Sequence, residues 1–525
     1  MRIRSRTATV VASALLLAAC TGTAPKSATS MSSTFTYANN LTVITSWDPA
    51  TNYSNEVIAM NNIYEQLTRY DITSGKVKPL LADSWTSSAD GLSWTFKLHP
   101  GVKFSTGRTA DAAADKAAID RTIKLAGGAS YEWGAVKSIE APSPTTLVFR
   151  LKYAAPIDLI ASSAYGAFIY DTTAAAGDLA KWFQAANTAG TGPYLVDSYQ
   201  RGQENELSLK ANPDYWAGWQ GSHYKEVRFR VVPQQTTAAQ LLQSGQVSFV
   251  PRLSPTLFRS LQSDKNIRTV QRSSFENMLA MLNTASGPLA DIRVRQAVSK
   301  AIDYAGIVSA LKGSVDQAQG IIPNGLLGYT TDVSQRTDVA AAQSLLAAAG
   351  YGPGGKQLSL TLTYASGTPE LDTVVSLLKS NLAKVGVTLN AKGLAWESQW
   401  ALGKSVAAAK HQDIFLFYWF PDYADPFSWF INLYRSVTPV VFNLSYWKDP
   451  AVDAAIDGLQ AVTATNRDKA QQQYADLQKT ISEQAISPVL AVENFQRAYA
   501  SSVQGYVDNP SYSNVVFFHD LTPSS

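Results

Sequence analysis

Hydrophobic and polar positions along this 525-residue chain follow two different periods. Short stretches in which apolar and polar residues alternate, or in which aromatic and β-branched residues run together, predict strands. Longer stretches with apolar residues three and four positions apart predict helices. The predicted strands are 34–37, 84–86, 92–98, 227–232, 358–364 and 414–419, and the predicted helices are 58–70, 110–126, 237–245, 292–311, 338–349, 369–385 and 466–484. Because strands and helices alternate along most of the chain, the pattern predicts an α/β fold with more than one sheet.

The N-terminal segment has the layout of a secretion signal. Arg2, Arg4 and Arg6 give it a cationic start, and the apolar stretch 8–19 is too short to span a bilayer comfortably. Small residues lead to Cys20, the one cysteine of the chain, and this sequence resembles the bacterial lipobox, whose cysteine is lipidated and becomes the new N-terminus. We therefore expect a signal peptide at 1–19 and a flexible tether at 20–33 that begins with lipidated Cys20. The alternative is an ordinary signal peptide with a chance cysteine.

Charge and composition narrow the class of partner. Removal of residues 1–19 takes away three arginines and leaves 41 basic and 41 acidic residues. A neutral mature chain argues against nucleic acid or an anionic membrane as the main partner, so we expect membrane contact through the lipid anchor only. With Cys20 lipidated, neither disulfides nor cysteine-bound metal can stabilise the mature body. Its length of about 500 residues predicts two or three domains, and the 12 Trp and 24 Tyr suggest that some rings line an exposed cleft.

Enzyme signatures are weak in this chain. The segment 350–356 has the glycine and lysine spacing of a phosphate-binding loop, but Gln357 stands where Ser or Thr should bind magnesium. A helix is predicted before this loop and a strand after it, so we expect a simple helix-to-strand turn. The four histidines are far apart in sequence, which makes a zinc site improbable. We expect no catalytic residue, no metal and no cofactor, although a triad assembled from distant residues stays open.

A series of short motifs extends over nearly the whole mature chain. In order, they are YEQL (64–67), KPLLADSW (78–85), DGLSWTFKL (90–98), GVKF (101–104), GTGPY (190–194), NPDYW (212–216), RVRQA (293–297) with AID (301–303), DYADP (422–426) and DPAVD (449–453). In this order and at this spacing, they resemble the extracellular solute-binding proteins of ABC importers, in the family that includes the dipeptide, oligopeptide and nickel-binding receptors. Two scaffold segments, 107–109 and 245–248, depart from the family's usual sequence, which affects local turns and not the fold.

The resemblance implies a type II periplasmic-binding-protein fold, in which two lobes joined by a two-stranded hinge close on a ligand. We expect lobe I at 34–282, lobe II at 283–493 and a C-terminal return to lobe I at 494–525. An extra subdomain at about 65–188 should lie within lobe I. The hinge strands are then expected near 279–283 and 490–494.

The most informative candidate for the binding site is the segment 413–434. Its apolar run 414–419 is a predicted strand that Pro421 ends, so Asp422 should lie on a loop at a strand end, where ligands of open α/β sheets bind. In peptide-binding members of the family, the aspartate three residues after this tryptophan resembles the residue that holds the peptide's N-terminal amine, and Asp422 occupies that position. We expect Asp422, Trp419, Phe420 and Tyr423 to contact the ligand. The alternative is a turn-forming aspartate among core aromatics, and Asp425 is expected to cap the next turn.

The resemblance therefore implies a binding protein and not an enzyme. We expect a monomeric, lipid-anchored receptor on the outer face of a bacterial cell membrane, which captures a small peptide-like solute and delivers it to an ABC permease and its ATPase. Within the same class, the solute could instead be an oligosaccharide, an opine-like compound or a metal chelate. A different class also stays open, namely an enzyme or a cell-envelope regulator that kept the fold without transport.

Overall fold

The computed structural model describes residues 34–40, 43–44, 46–352, 354–407 and 410–524. The predicted signal peptide, Cys20 and the tether lie outside these residues. The strands are β1 (Thr34–Asn39), β2 (Thr68–Asp71), β3 (Lys76–Pro79), β4 (Ala82–Ser87), β5 (Ser93–Leu98), β6 (Val136–Ser143), β7 (Thr146–Leu151), β8 (Tyr194–Tyr199), β9 (Asn205–Ala211), β10 (Glu226–Val231), β11 (Phe249–Val250), β12 (Ile267–Leu282), β13 (Val315–Asp316), β14 (Leu358–Ala365), β15 (Val387–Leu394), β16 (Ile414–Trp419), β17 (Val489–Ala500), β18 (Val503–Gln504) and β19 (Thr522–Pro523).

The helices alternate with these strands and confirm the α/β class. They are α1 (Val57–Met60), α2 (Ala112–Leu125), α3 (Ile157–Ile160), α4 (Leu179–Gln184), α5 (Gln235–Gln243), α6 (Pro255–Leu261), α7 (Ile292–Ala301), α8 (Tyr304–Ala310), α9 (Val339–Ala348), α10 (Pro369–Ala383), α11 (Trp396–Gly403), α12 (Phe427–Trp429), α13 (Pro450–Thr465) and α14 (Arg467–Glu483). A π-helical turn, Phe430–Tyr434, follows α12. In the described part of the chain, no helix is long and apolar enough to cross a membrane.

Two long central strands, β12 and β17, hold the largest sheet together. The strand order in this sheet is β15-β14-β16-β12-β17-β11-β1-β10-β9-β8, and β13 pairs with β17. β12 and β17 are antiparallel, and their register shifts between Ser273 and Asn277, where residues 274–276 have no one-to-one partners on β17. A separate antiparallel sheet has the order β4-β5-β7-β6.

Alternation along β12 and β16 explains how the second half of the chain packs. Because successive side chains of a strand point to opposite faces, Met278 and Ala280 pack with α7 to α10 on one face of the sheet. Leu279 and Met281 pack on the other face with the aromatic residues of β16 and with α12 to α14. A third apolar cluster surrounds β1, β9 and β10. A fourth cluster is formed by the four-stranded sheet and α2. The apolar run 414–419 is therefore buried on both faces.

Most predicted elements are confirmed, including the hairpin turn at Asp90-Gly91, where Asp90 Oδ1 accepts the Leu92 amide at 3.0 Å. The segment 350–356 connects α9 to β14 and is the expected helix-to-strand turn. The predicted helix 292–311 is wrong as one element, because it is interrupted after α7. Ile302 is extended there, and the Asp303 side chain accepts the Gly306 amide at 2.8 Å and starts α8.

The predicted helix 58–70 is also wrong. Its first residues form α1, but the chain then leaves the helix and ends in β2. The reason is tertiary: the Asn62 side chain donates to the carbonyl of Val516 at 2.9 Å, and that of Gln66 donates to the carbonyl of Ser163 at 3.2 Å. The Gly192 amide donates to the carbonyl of Ile63 at 3.0 Å. The carbonyls of Glu65 and Leu67 likewise accept the amides of Ile169 and Ala82, both at 2.9 Å. Backbone groups that would bond within a helix are therefore bonded to distant segments, and the two side-chain bonds fix this path.

Candidate functional site

The segment that carries the candidate site leaves the sheet where β16 ends. Trp419 is the last residue of β16, and Asp422 lies on the loop before α12. β14 runs parallel to β16, with Leu362 opposite Ile414, so both strands end at the same edge of the sheet. Polar groups on loops at this edge face the region in which open α/β sheets bind ligands. The expected position of Asp422 at a strand end is confirmed.

Asp422 is buried, and its carboxylate contacts residues from the first third of the chain. Asp422 is only 2% exposed. The hydroxyl of Tyr53 donates to Asp422 Oδ1 at 3.2 Å, and the hydroxyl of Tyr131 donates to Oδ2. The main-chain carbonyl of Asp422 accepts the Ala164 amide at 3.2 Å and the Ser163 hydroxyl at 3.0 Å. The loop after β16 is therefore attached to three separate segments of the N-terminal part.

Burial changes the acidity of Asp422. Loss of water raises the pKa of this carboxyl to about 7, and the hydrogen bond from Tyr53 acts in the opposite direction without compensating. None of the ion pairs in the described residues includes Asp422. The carboxylate thus accepts two neutral hydroxyls and has no cationic side chain beside it. Such a group gains from a positively charged ligand more than an exposed or already paired carboxylate does.

The three aromatic candidates next to Asp422 have different surroundings. Trp419 is buried and packs on Phe442, with ring centroids 5.0 Å apart at 67°. Tyr423 is buried in the apolar cluster of the four-stranded sheet, and its hydroxyl accepts the Gln460 side chain at 3.4 Å. Phe420 is half-buried and stacks against Tyr165 at 6.5 Å. Phe420 therefore stacks on Tyr165, whose ring also contacts Tyr53, a partner of Asp422. Trp419 and Tyr423 instead pack in apolar clusters on either side of the loop sequence.

Three tyrosines that sequence reasoning missed complete the site. Tyr53, Tyr131 and Tyr165 all approach the loop after β16, and Tyr53 contacts Tyr165 edge to face at 5.2 Å. Asn432, on the π-helical turn, donates to the hydroxyl of Tyr131 at 2.9 Å. No local motif marks these positions, because each is brought to Asp422 by long-range folding. The richness in tyrosine was the one sequence signal that pointed toward them.

Asp425 has the structural role expected from sequence. Its Oδ1 accepts the Phe427 amide at 2.8 Å, which caps the turn at the start of α12, and the Tyr474 hydroxyl at the same distance. Both interactions stay within the part of the chain that follows β12. This residue therefore stabilises the loop that carries Asp422.

Metal binding finds no support in the described ranges. There, no three His, Cys, Asp or Glu side chains are grouped so that they could hold a metal ion. The four histidines form ring contacts or accept and donate single hydrogen bonds, such as the stacking of His411 on Tyr446 at 4.1 Å. The chemistry of the site is that of a buried carboxylate among phenols and aromatic rings.

Comparisons with known proteins identify the family of this chain. Residues 76–439 match the family described as "Bacterial extracellular solute-binding proteins, family 5 Middle". The probable D,D-dipeptide-binding periplasmic protein DdpA of Escherichia coli K12 is 27% identical over 468 residues, which are 86% of this chain and 87% of that protein. The glutathione-binding protein GsiB of Pectobacterium atrosepticum is 28% identical over 479 residues, 89% of this chain and 90% of the relative.

The fold is also that of a solved structure. The crystal structure of NikA from Brucella suis in complex with Fe(III)-EDTA superposes with a TM-score of 0.81 at 22% identity, and the match covers 94% of this chain and all of NikA. This likeness shows the type II periplasmic-binding-protein fold with its two lobes, as the motifs implied.

Proposed function

Because this chain belongs to the bacterial extracellular solute-binding proteins of family 5, we propose that it captures a small peptide-like solute between its lobes. Proteins of this family bind small solutes and work with ABC permeases. Two relatives are named for the binding of dipeptides and glutathione, which are peptide-like molecules with a free amine. In our proposal, this chain binds without chemistry, acts as a monomer, and delivers the solute to a permease and its ATPase.

The observation that carries the peptide proposal is the state of Asp422. Its carboxylate is buried, accepts hydroxyls from Tyr53 and Tyr131, and has no cationic partner among the residues that the structure describes. A carboxylate has about four lone-pair positions, so two hydroxyls leave acceptor capacity for an ammonium group. The half-buried ring of Phe420 and the nearby tyrosines would add cation–π attraction. We therefore assign to Asp422 the N-terminal ammonium of the solute.

The course of the central strands supports a division into two lobes. We propose lobe I at 34–282 with its subdomain at about 65–188, lobe II at 283–493, and the return to lobe I at 494–525. In support, the apolar clusters that pack on β14 and β16 contain only residues after 274, apart from a half-buried Tyr53 at the margin. They include the end of β12, residues 275–282, where the proposed lobes join. Tyr53, Tyr131 and Ser163 contact Asp422 across the proposed boundary, which supports a closed arrangement of the proposed lobes.

The location is proposed from the N-terminal sequence. Cys20 lies outside the described residues, and its lipidation stays a prediction from the lipobox-like sequence 17–20. In this proposal, the mature protein is held at the outer face of a bacterial cell membrane. Anchoring there would keep the binding lobes near the permease, and the flexible tether would let them move to it.

The peptide proposal can be tested with four binding measurements. We would titrate trialanine and N-acetyl-trialanine into the wild type and into Asp422→Asn by calorimetry. Loss of one partner from a buried charge pair costs roughly 3–5 kcal/mol, so either change alone should weaken binding by about two to four decades. The double change should add little, because both remove the same interaction.

Glu397→Gln provides the matched control, because Glu397 is an exposed carboxylate of lobe II. It should bind trialanine as the wild type does. Wild-type affinity in Asp422→Asn, or additive losses in the double change, would contradict the role of Asp422. If no free-amine peptide binds the wild type, the peptide class fails, and a sugar or a chelate becomes the better candidate.

A further inference from the structure

A buried carboxyl group lies next to Tyr131, one of the two phenols that donate to Asp422. It belongs to Glu132, in the 3-10 helical turn Ser130–Ala135 between α2 and β6. Glu132 is fully buried, and its Oε1 lies 3.0 Å from the hydroxyl oxygen of Ser163. Ser163 also contacts the main chain of Asp422. Adjacent residues of one turn therefore reach both the side chain and the main chain of the same aspartate.

The contacts of Ser163 show where its proton points. Its Oγ lies 3.0 Å from Glu132 Oε1 and 3.0 Å from the carbonyl oxygen of Asp422, and it accepts the Tyr165 amide at 3.2 Å. A serine hydroxyl has one proton and two acceptor positions, so it cannot donate to both oxygens. A main-chain carbonyl has no proton to give. For both contacts to be hydrogen bonds, the Glu132 carboxyl has to donate to Ser163, which then donates to the carbonyl.

The surroundings of Glu132 also favour its protonated form. Its second oxygen, Oε2, is buried and has no hydrogen-bond partner among the residues that the structure describes. None of the ion pairs in that part of the chain includes Glu132. A buried carboxylate with one hydroxyl as its partner is unfavourable, and burial raises the pKa of Glu132 well above its usual value. A neutral carboxylic acid avoids this cost and can donate.

We propose that Glu132 carries a proton and is a positioning residue of the binding site, which acts on Asp422 through Ser163. This inference rests on the proposed function, because Asp422 is the group assigned to the solute's ammonium. The Ala164 amide donates to the same carbonyl at 3.2 Å, so two donors from one segment hold the loop after β16. If Glu132 were ionised, the Ser163 hydroxyl would turn to it and leave that carbonyl with one donor.

Infrared spectroscopy can detect the proton without any ligand. The carbonyl stretch of a protonated carboxyl group is separate from the bands of ionised carboxylates, and at neutral pH the wild type should show such a band that Glu132→Gln lacks. Ser163→Ala removes the partner to which the acid donates, so the band should move to higher frequency. Ser162→Ala is the matched control, because the Ser162 hydroxyl donates to the carbonyl of Leu159 at 2.7 Å. It should leave the band in place.

Amide hydrogen exchange of the segment 420–426, followed by mass spectrometry, measures the positioning. In Ser163→Ala the Asp422 carbonyl loses one donor, so the segment should exchange about two- to tenfold faster. Glu132→Gln keeps a neutral donor in place of the acid and should rescue exchange close to that of the wild type. Ser162→Ala should exchange as the wild type does. A thermal melt checks that each variant is folded, and if Glu132→Gln is not, the band shift in Ser163→Ala makes the same assignment.

The outcomes separate this inference from the peptide proposal. Identical spectra of the wild type and Glu132→Gln would overturn the proton, and a band that Ser163→Ala leaves in place would overturn the bond to Ser163. Equal exchange in Ser163→Ala and Ser162→Ala would overturn the positioning role. These measurements use no peptide, so they decide the role of Glu132 even if trialanine does not bind and the peptide class fails. If trialanine binds, Ser163→Ala should weaken it by about two- to tenfold relative to Ser162→Ala, and equal affinities would contradict positioning of Asp422.

Discussion

The hydroxyl of Tyr53 lies 3.2 Å from Oδ1 of Asp422, although 369 positions separate the two residues in the chain. Tyr131 donates to the other carboxylate oxygen. These phenols connect the two proposed lobes through the same group that we assign to the solute's ammonium. In our proposal, ligand binding and lobe closure therefore depend on the same carboxylate.

Removal of the two phenols should shift the unliganded protein toward an open form. Hydrogen bonds to a charged group contribute about 1.5–3 kcal/mol each, which is enough to change the populations of two nearly balanced states. We expect Tyr53→Phe with Tyr131→Phe to increase the radius of gyration in small-angle scattering, and a bound solute to reduce it again. Tyr351→Phe should behave as the wild type, because Tyr351 packs against the apolar cluster of α7 to α10 and not on Asp422. An unchanged radius in the double variant would mean that these bonds do not hold the lobes.

Affinity for trialanine should depend on pH in a predictable direction. The pKa of Asp422 is raised to about 7 by burial, and an ammonium requires the ionised carboxylate. As pH falls below about 7, binding should weaken by up to about tenfold per pH unit, because the proton must first leave. Above about pH 8 the peptide's own amine loses its charge, so affinity should be highest between these values.

Calorimetry in buffers with different ionisation heats would measure the proton that is released on binding. Asp422→Asn should bind weakly and lose the acidic limb of the profile. A flat wild-type profile between pH 6 and 7.5 would show that Asp422 is already ionised or does not contact the amine.

Asp115 on α2 should lower stability at alkaline pH. It is 2% exposed, its Oδ1 has no hydrogen-bond partner in the described residues, and burial raises its pKa from 3.8 to about 8. The folded state therefore holds a proton that the unfolded chain releases near pH 4, so this group's contribution is greatest below that pH and is lost as pH rises toward 8. We expect Asp115→Asn to raise the melting temperature at pH 8 and to change it little at pH 4.

The matched control is Asp120→Asn on the same helix, where the carboxylate is 42% exposed and pairs with Lys116. Its effect should be small at both pH values, since exposed pairs contribute little. An Asp115→Asn variant that is equally destabilised at pH 4 and pH 8 would indicate a packing role instead of a titration.

Cys20→Ser should release the protein from the membrane. One acyl chain gives only marginal binding, so stable anchoring needs at least two chains on the cysteine. In cell fractionation, the wild type should sediment with membranes and the variant should be recovered in the soluble fraction. A metabolically incorporated fatty acid should label the wild type alone. Equal membrane association of the two proteins would reject the lipobox interpretation.

Local patterning predicted much of the site's scaffold. The apolar run 414–419 forms β16 with the expected bounds, and Asp422 lies on the loop that Pro421 was expected to open. Asp425 caps the following turn as its position before Pro426 indicated. These features depend on residues that are neighbours in sequence, so periodicity and turn chemistry are sufficient to find them.

The same reasoning failed where distant partners decide the backbone. The spacing in 58–70 is helical, but the side chains of Asn62 and Gln66 bond to carbonyls that are 454 and 97 positions away. At 302–303 a side-chain cap divides a stretch that looks continuous. A local helical preference amounts to less than about 1 kcal/mol per residue, so buried hydrogen bonds of this kind can override it.

The sequence by itself determined the α/β class, the order of its elements and the identity of the family, because these are encoded in local periodicity and in short motifs at fixed spacing. Only the tertiary structure decided what surrounds Asp422. Tyr53, Tyr131 and Asp422 come from separate segments of the chain. Long-range folding brings them together, and the resulting burial removes water and raises the pKa of Asp422. Proximity between residues that are distant in the chain leaves no periodic trace in a sequence.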